Sequence, residues 1–247
     1  MPSPPPSSGS LPQLADGYWV ESRRPLASLV FIVPFLIVYE VGVLVFDPGE
    51  VRNGADAWLR QLLGFIGFGQ YFLLPILTVC VLLAWHYTTR QSWRLSRGLV
   101  WGMAGECASL AICLWIVLQL LRVLWPFDEA TQMSLTGKVA TGISYLGAGI
   151  YEELLFRLIL MSSVAWGLKR AGVKPQASVV TAVVCVSLLF AAAHHIPPHG
   201  YPFNNGFNFV FRTVAGVFFS ILFIYRGYGI AAGTHAGYNL LIGLSRG

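Results

Sequence analysis

The chain has 247 residues, of which 55% are hydrophobic and only 11% charged, and its mean hydropathy is +0.64. A soluble domain carries about 25% charged residues, so this composition excludes an ordinary soluble globular protein and predicts an all-α bundle solvated by lipid. The net charge of +5 resides in short Lys/Arg clusters between apolar runs, without the continuous basic face of a nucleic-acid binder, so no nucleic-acid partner is expected.

Residues 1–25 begin MPSPPPSSGS and lack the basic stretch that opens a signal peptide, which predicts a disordered tail. Ser22, Arg23 and Arg24 precede an apolar run as in a twin-arginine signal, but no A-x-A site follows and Glu40 interrupts the run, so an anchor is expected. The rest, 26–247, reads as one membrane domain. Its helical spans are expected at about 26–46, 70–87, 99–124, 138–166, 177–195, 207–225 and 229–243, a polytopic bundle of about seven spans. Between the first two, residues 55–68 mix Trp58, Leu59, Leu62, Leu63 and Phe65 with Asp56 and Arg60, suiting either a helix along the interface or a plain connecting helix.

Arg23 and Arg24, then Arg90, Arg94 and Arg97, then Lys169, Arg170 and Lys174, then Arg226 fall in alternate connections. The excess of positive charge on cytoplasmic loops places those connections, and with them the N-terminus, in the cytoplasm. The opposite connections carry Asp47, Glu50, Asp56, Asp128 and Glu129 with Arg52, Arg60 and Lys138. Cys80, Cys107, Cys113 and Cys185 are scattered without a CxxC pair, which suggests neither disulfides nor a zinc ribbon. No internal repeat is visible, which argues against a transporter built from inverted halves.

The chemistry concentrates in the C-terminal half. An ionisable side chain at membrane depth costs about 2.5–3.5 kcal/mol on insertion scales, so each one needs a reason. The fourth span reads GIYEELLFR: Glu153 and Arg157 are four apart in the favourable order for an intrahelical ion pair, whereas Glu152 lies about 100° around the helix. Glu152 is thereby left to face a polar cavity as a candidate general base. The fifth span ends LLFAAAHHIPPHG, with Phe190 and His194 one turn apart. The last reads GTHAGYNL, so His235 and Asn239 project from one face and can grip one oxygen.

The pattern EExxxR (Glu152, Glu153, Arg157), FxxxH (Phe190, His194) and HxxxN (His235, Asn239), in that order over about the last 110 residues, resembles the CPBP family. That family comprises CAAX prenyl endopeptidases and bacterial relatives, some linked to bacteriocin processing and self-immunity, and its proteolytic members are intramembrane glutamic endopeptidases. The resemblance makes 138–243 the catalytic core. It implies that Glu152 activates a water, that His194 binds and polarises it, and that His235 and Asn239 stabilise the oxyanion. Glu153, Arg157 and Phe190 would support the site. A polypeptide substrate, possibly membrane-associated, is the implied partner besides the lipid bilayer, and a bacterial inner (plasma) membrane the implied location.

The same residues admit other readings. Glu152, His194 and His235 are a His2Glu set of the kind that holds zinc, but HExxH is absent, so no metal or other cofactor is expected. The two histidines could instead join helices by hydrogen bonds, and the fold could serve as a non-proteolytic scaffold or bacteriocin self-immunity protein. Glu40 and Glu106 are expected to cap polar contacts, His195 and His199 to lie at a loop or mouth, and Arg212 to snorkel to the interface.

Overall fold

The computed structural model describes residues 17–46, 51–65, 67, 72–124, 135–196 and 206–245, with backbone alone for 135–138 and 245. Asp47, Glu50, Asp128, Glu129 and His199 lie outside the described residues, as do residues 1–16 of the expected tail. The described residues form helices only: α1 (Pro25–Val45), α2 (Gly54–Phe65), α3 (Leu73–Thr88), α4 (Leu99–Leu124), α5 (Leu135–Gly147), α6 (Ser162–Arg170), α7 (Pro175–Ala193), α8 (Gly206–Arg226) and α9 (Tyr228–Ser245). Between α5 and α6 the chain is wound as π-helix over Ala148–Glu152 and Leu154–Met161. Pro25 and Pro175 open their helices at a position where the missing N–H costs nothing.

Among the described residues each segment expected to be helical contains a helix, but only α1, α4, α7 and α8 are long and apolar enough to cross a bilayer. The count of about seven spans is therefore not met on length and apolarity. α3 is apolar but has 16 residues, and the 138–166 stretch is divided among α5, the π-helical turns and α6. α9 fails for a different reason. It packs against α4, α8, α1, α5 and the π-helical segment, and Tyr228, Ile230, Ala231, Ala232, Ala236 and Tyr238 are all buried. Enclosed by protein, it can carry polar residues that a lipid-facing helix could not. The outer helices show the complement: in α4 only 22% of the most apolar window is buried, and Trp101, Leu120, Val123 and Leu124 face outward. These are lipid-facing surfaces, and the chain is an integral membrane protein.

Two local expectations change. Within the stretch read as a tail, residues 17–21 form a helical turn that docks on α4 and α8. Tyr18 Oη donates to Glu106 at 2.5 Å, and Arg226 donates to Glu106 Oε1 at 2.6 Å, to Ser22 Oγ at 2.7 Å and to the Trp19 carbonyl at 3.1 Å. Burial, with the Glu106 hydrogen bond second, holds the Tyr18 hydroxyl above its usual range, so it stays a donor. Composition alone could not show that this one turn has a part-buried ion pair to close on. The second change is at α2, which turns its polar side inward. Asp56 is fully buried, while Leu62 and Phe65 are exposed.

Close helix approach rests on glycine at a few positions. A Cβ on Gly149 would lie 2.5 Å from the Ala232 carbonyl oxygen and 2.9 Å from the Ala236 amide. Only glycine lets the π-helical segment and α9 meet backbone to backbone.

Candidate active site

Glu152 closes the first π-helical stretch and Glu153 follows it. This i→i+5 winding is uncommon and recurs at functional sites. Here it presents two adjacent carboxylates to different partners. Glu153 is fully buried, its Oε1 3.0 Å from Arg157 Nη1 and 2.7 Å from His235 Nδ1. Arg157, also fully buried, stacks its guanidinium over Phe190 at 4.5 Å and Phe219 at 5.5 Å, and donates to the Gly216 carbonyl at 3.2 Å. The spacing-based ion pair is present, and a third member joins it from α9. An ionised Glu153 can only accept, so His235 Nδ1 is the donor and its Nε2 turns toward Glu152.

The α7 motif behaves likewise. His194 caps the C-terminal end of α7, and its Nδ1 lies 2.8 Å from the Phe190 carbonyl oxygen one turn back. A carbonyl can only accept, so Nδ1 carries the proton and Nε2 is directed at Glu152. Glu152 Oε2 is buried and, among the described residues, accepts no direct hydrogen bond; it lies 3.5 Å from His194 Nε2 and 3.7 Å from His235 Nε2. Phe190 is the shared wall, edge-on to His194 with centroids 4.6 Å apart and to Phe156 at 5.2 Å, while His235 stacks on Phe219 at 4.4 Å and 13°. The aromatic rings thus fix both imidazoles and the guanidinium.

Glu152 and His194 open onto a cavity of about 270 Å³, which Asn239 also lines. Glu152, Glu153, Arg157, Phe190, His194, His235 and Asn239 are therefore gathered from three helical segments into one place. Arg212 lines the cavity, as do Arg52 and Asn53 before α2. Sequence reasoning missed these three; the only signal was a cation set in the apolar start of α8. The Glu153–His235 bond was likewise illegible, because it joins positions 82 residues apart. His195 is set against Phe209 with centroids 6.1 Å apart, and Glu40 accepts from Tyr151 Oη at 2.5 Å. Among the described residues no group of three or more His, Cys, Asp and Glu side chains is disposed to hold a metal ion.

Fold and site together define a polytopic helical membrane protein with a Glu/His cluster buried where its inner helices meet. Residues 135–241 match the family model described as type II CAAX prenyl endopeptidase Rce1-like. That segment, under half of the chain, carries the three motifs and is similar to the CPBP family, whose members are generally peptidases. No curated protein and no solved structure matches the chain.

Proposed function

We propose that the protein is an intramembrane endopeptidase in which Glu152 activates the attacking water. The observation that carries this reading is the convergence of His194 Nε2 and His235 Nε2, at 3.5 and 3.7 Å, on one buried oxygen of Glu152 beside a cavity. With Nδ1 committed to the Phe190 carbonyl, neutral His194 offers a lone pair at Nε2. A water held between it and Glu152 donates one hydrogen to each, leaving an oxygen lone pair for the scissile carbonyl. Attack forms the C–O bond and moves the carbonyl electrons onto oxygen, while Glu152 takes the proton and later delivers it to the leaving amine.

Asn239 and His235 stabilise the oxyanion. Because His235 Nδ1–H is already given to Glu153, donation from Nε2 requires the imidazolium, which the carboxylates of Glu152 and Glu153 flank on both sides. Glu153 is thus a positioning residue, and Arg157 holds Glu153. No metal or other cofactor enters this scheme, and the substrate is a polypeptide.

The reading extends to topology. The seven helical segments cross a bacterial inner membrane with the N-terminus in the cytoplasm, and the cavity, bounded by the C-terminal end of α7, the start of α8 and Arg52 after α1, opens away from Arg23 and Arg24. Such a site takes its substrate from the outer half of the bilayer. The test is a substrate-trapping comparison of membranes from cells carrying wild type or Glu152→Gln. Proteins that accumulate uncleaved only with the variant, and are cut when purified wild type is added back, are the expected result. Equal cleavage by the two proteins would refute the glutamic mechanism.

A further inference from the structure

The cavity that Glu152, His194 and Asn239 line is also lined by donors. Among the described residues that line it, the acidic and basic side chains are Arg52, Glu152, His194 and Arg212, two guanidiniums against one carboxylate. Arg52 is anchored from behind, its Nε 3.6 Å from Asp56 Oδ2. Asp56 is itself fixed by Tyr39 Oη at 2.9 Å and Arg60 Nε at 2.6 Å. The Asp56 N–H donates to Asn53 Oδ1 at 2.9 Å, which fixes the Asn53 carboxamide. Its other end, Nδ2, is buried and has no hydrogen-bond partner among the described residues. A buried donor left without an acceptor costs about 1–3 kcal/mol, so this amide calls for an acceptor that the described residues do not supply.

The geometry points to a carboxylate-binding subsite formed by Arg52, Asn53 and Arg212 in the cavity that holds Glu152. It selects peptides carrying a carboxylate close to the scissile bond, either an Asp or Glu side chain or a free C-terminus. Guanidiniums pair with a carboxylate through parallel N–H donors, and an arginine already braced by a fixed acid loses little freedom on binding. At about 270 Å³ the cavity takes the end or side chain of a peptide, but it is smaller than ordinary ligand pockets and too small for a two-chain lipid. This inference rests on the proposed peptidase reading for the identity of the ligand as a peptide.

The experiment measures retention of randomised octapeptide libraries on detergent-solubilised Glu152→Gln protein, read by mass spectrometry. One library has free C-termini, one is amidated, one is amidated and lacks Asp and Glu, and one has free C-termini and lacks Asp and Glu. Removing the Glu152 charge favours every anion, so comparisons are made within that background, with Arg212→Gln, Arg52→Gln and the two Arg→Lys changes added. Charge-assisted bonds of this kind lead us to expect about tenfold enrichment of carboxylate-bearing peptides over the amidated acid-free library. That enrichment should vanish in the Gln variants and survive in part in the Lys variants. The two mixed libraries tell a side-chain carboxylate from a C-terminal one. Should Arg52→Gln lower the melting temperature, Arg212→Gln and Arg52→Lys decide alone. Equal retention of all four libraries, no retention of any, or enrichment surviving both Gln variants overturns the proposal, as does binding of phosphatidylglycerol vesicles in place of peptides. Enrichment without hydrolysis by wild type would instead remove the peptidase reading and leave the subsite standing.

Discussion

Glu153 shares one carboxylate between Arg157 at 3.0 Å and His235 at 2.7 Å, so the charge that stabilises the fold also aims the ring proposed to meet the oxyanion. Removing either ionic partner strands a buried charge, a loss of roughly 3–5 kcal/mol. Arg157→Ala and Glu153→Ala should therefore lower the melting temperature markedly, and wild-type melting in either would contradict the structural part of this role. Glu153→Gln separates the two duties, because the amide oxygen can still accept from His235 Nδ1 while the negative charge beside the ring is gone. It should lower kcat far more than it raises KM, and an unchanged kcat would show that His235 works without Glu153. At Asn239, loss of an oxyanion donor in Asn239→Ala should cost about 10² to 10³ in kcat. A loss confined to KM would place Asn239 in substrate binding instead.

At the level of elements, the site depends on how closely the π-helical segment and α9 approach. Gly149 sits where an added methyl would run into the Ala232 carbonyl at 2.5 Å and the Ala236 Cβ at 2.8 Å, atoms that cannot swing away as a side-chain end can. Gly149→Ala must push α9 outward and with it His235, three residues along from Ala232. We expect activity to fall steeply together with a lowered melting temperature; a fully active, wild-type-stable variant would mean that this contact does not set the Glu152–His235 distance. Polar contacts tie α2 in the same way. Arg60 reaches both Asp56 and Glu40, and Glu40 in turn accepts from Tyr151, the residue before Glu152. Legible in the sequence were a helix at this place and its mixed composition. Which side faced protein was not, because Tyr39 and Glu40, the partners of Asp56 and Arg60, lie on another helix.

For the molecule as a whole, the connections carrying Arg23, Arg24, Arg94 and Arg226 converge on one end. Arg24 Nη1 reaches the Arg94 carbonyl at 3.4 Å, the Ser96 hydroxyl donates to Glu21 at 2.6 Å, and Arg226 binds Glu106 and the turn at residues 17–21. Their shared end is what the charge rule expects of cytoplasmic loops. Single cysteines placed at Ser96 and Asn53 in a cysteine-free background should label from opposite sides of sealed membranes, Ser96 from the inside. Labelling of both from one side would reverse or abolish the proposed topology. Chelation tests the chemistry at the same scale: activity should survive prolonged chelation and dialysis, whereas zinc whose loss and return track turnover would replace the water-activation scheme.

The sequence by itself determined the membrane class, the helical segments, and the three motifs that the family model covers, because bilayer solvation and helical period act locally along the chain. It also determined the Glu153–Arg157 pair, whose members lie one turn apart. Only the tertiary structure decided what faces what. It set α9 inside the bundle, where polar side chains are shielded from lipid, and it folded residues 17–21 onto Glu106 and Arg226. It turned His194 and His235 onto one oxygen of Glu152 and brought Arg52 and Arg212 to the same cavity. Each of these joins positions tens to hundreds of residues apart, and such contacts are fixed by helix packing rather than by any local pattern.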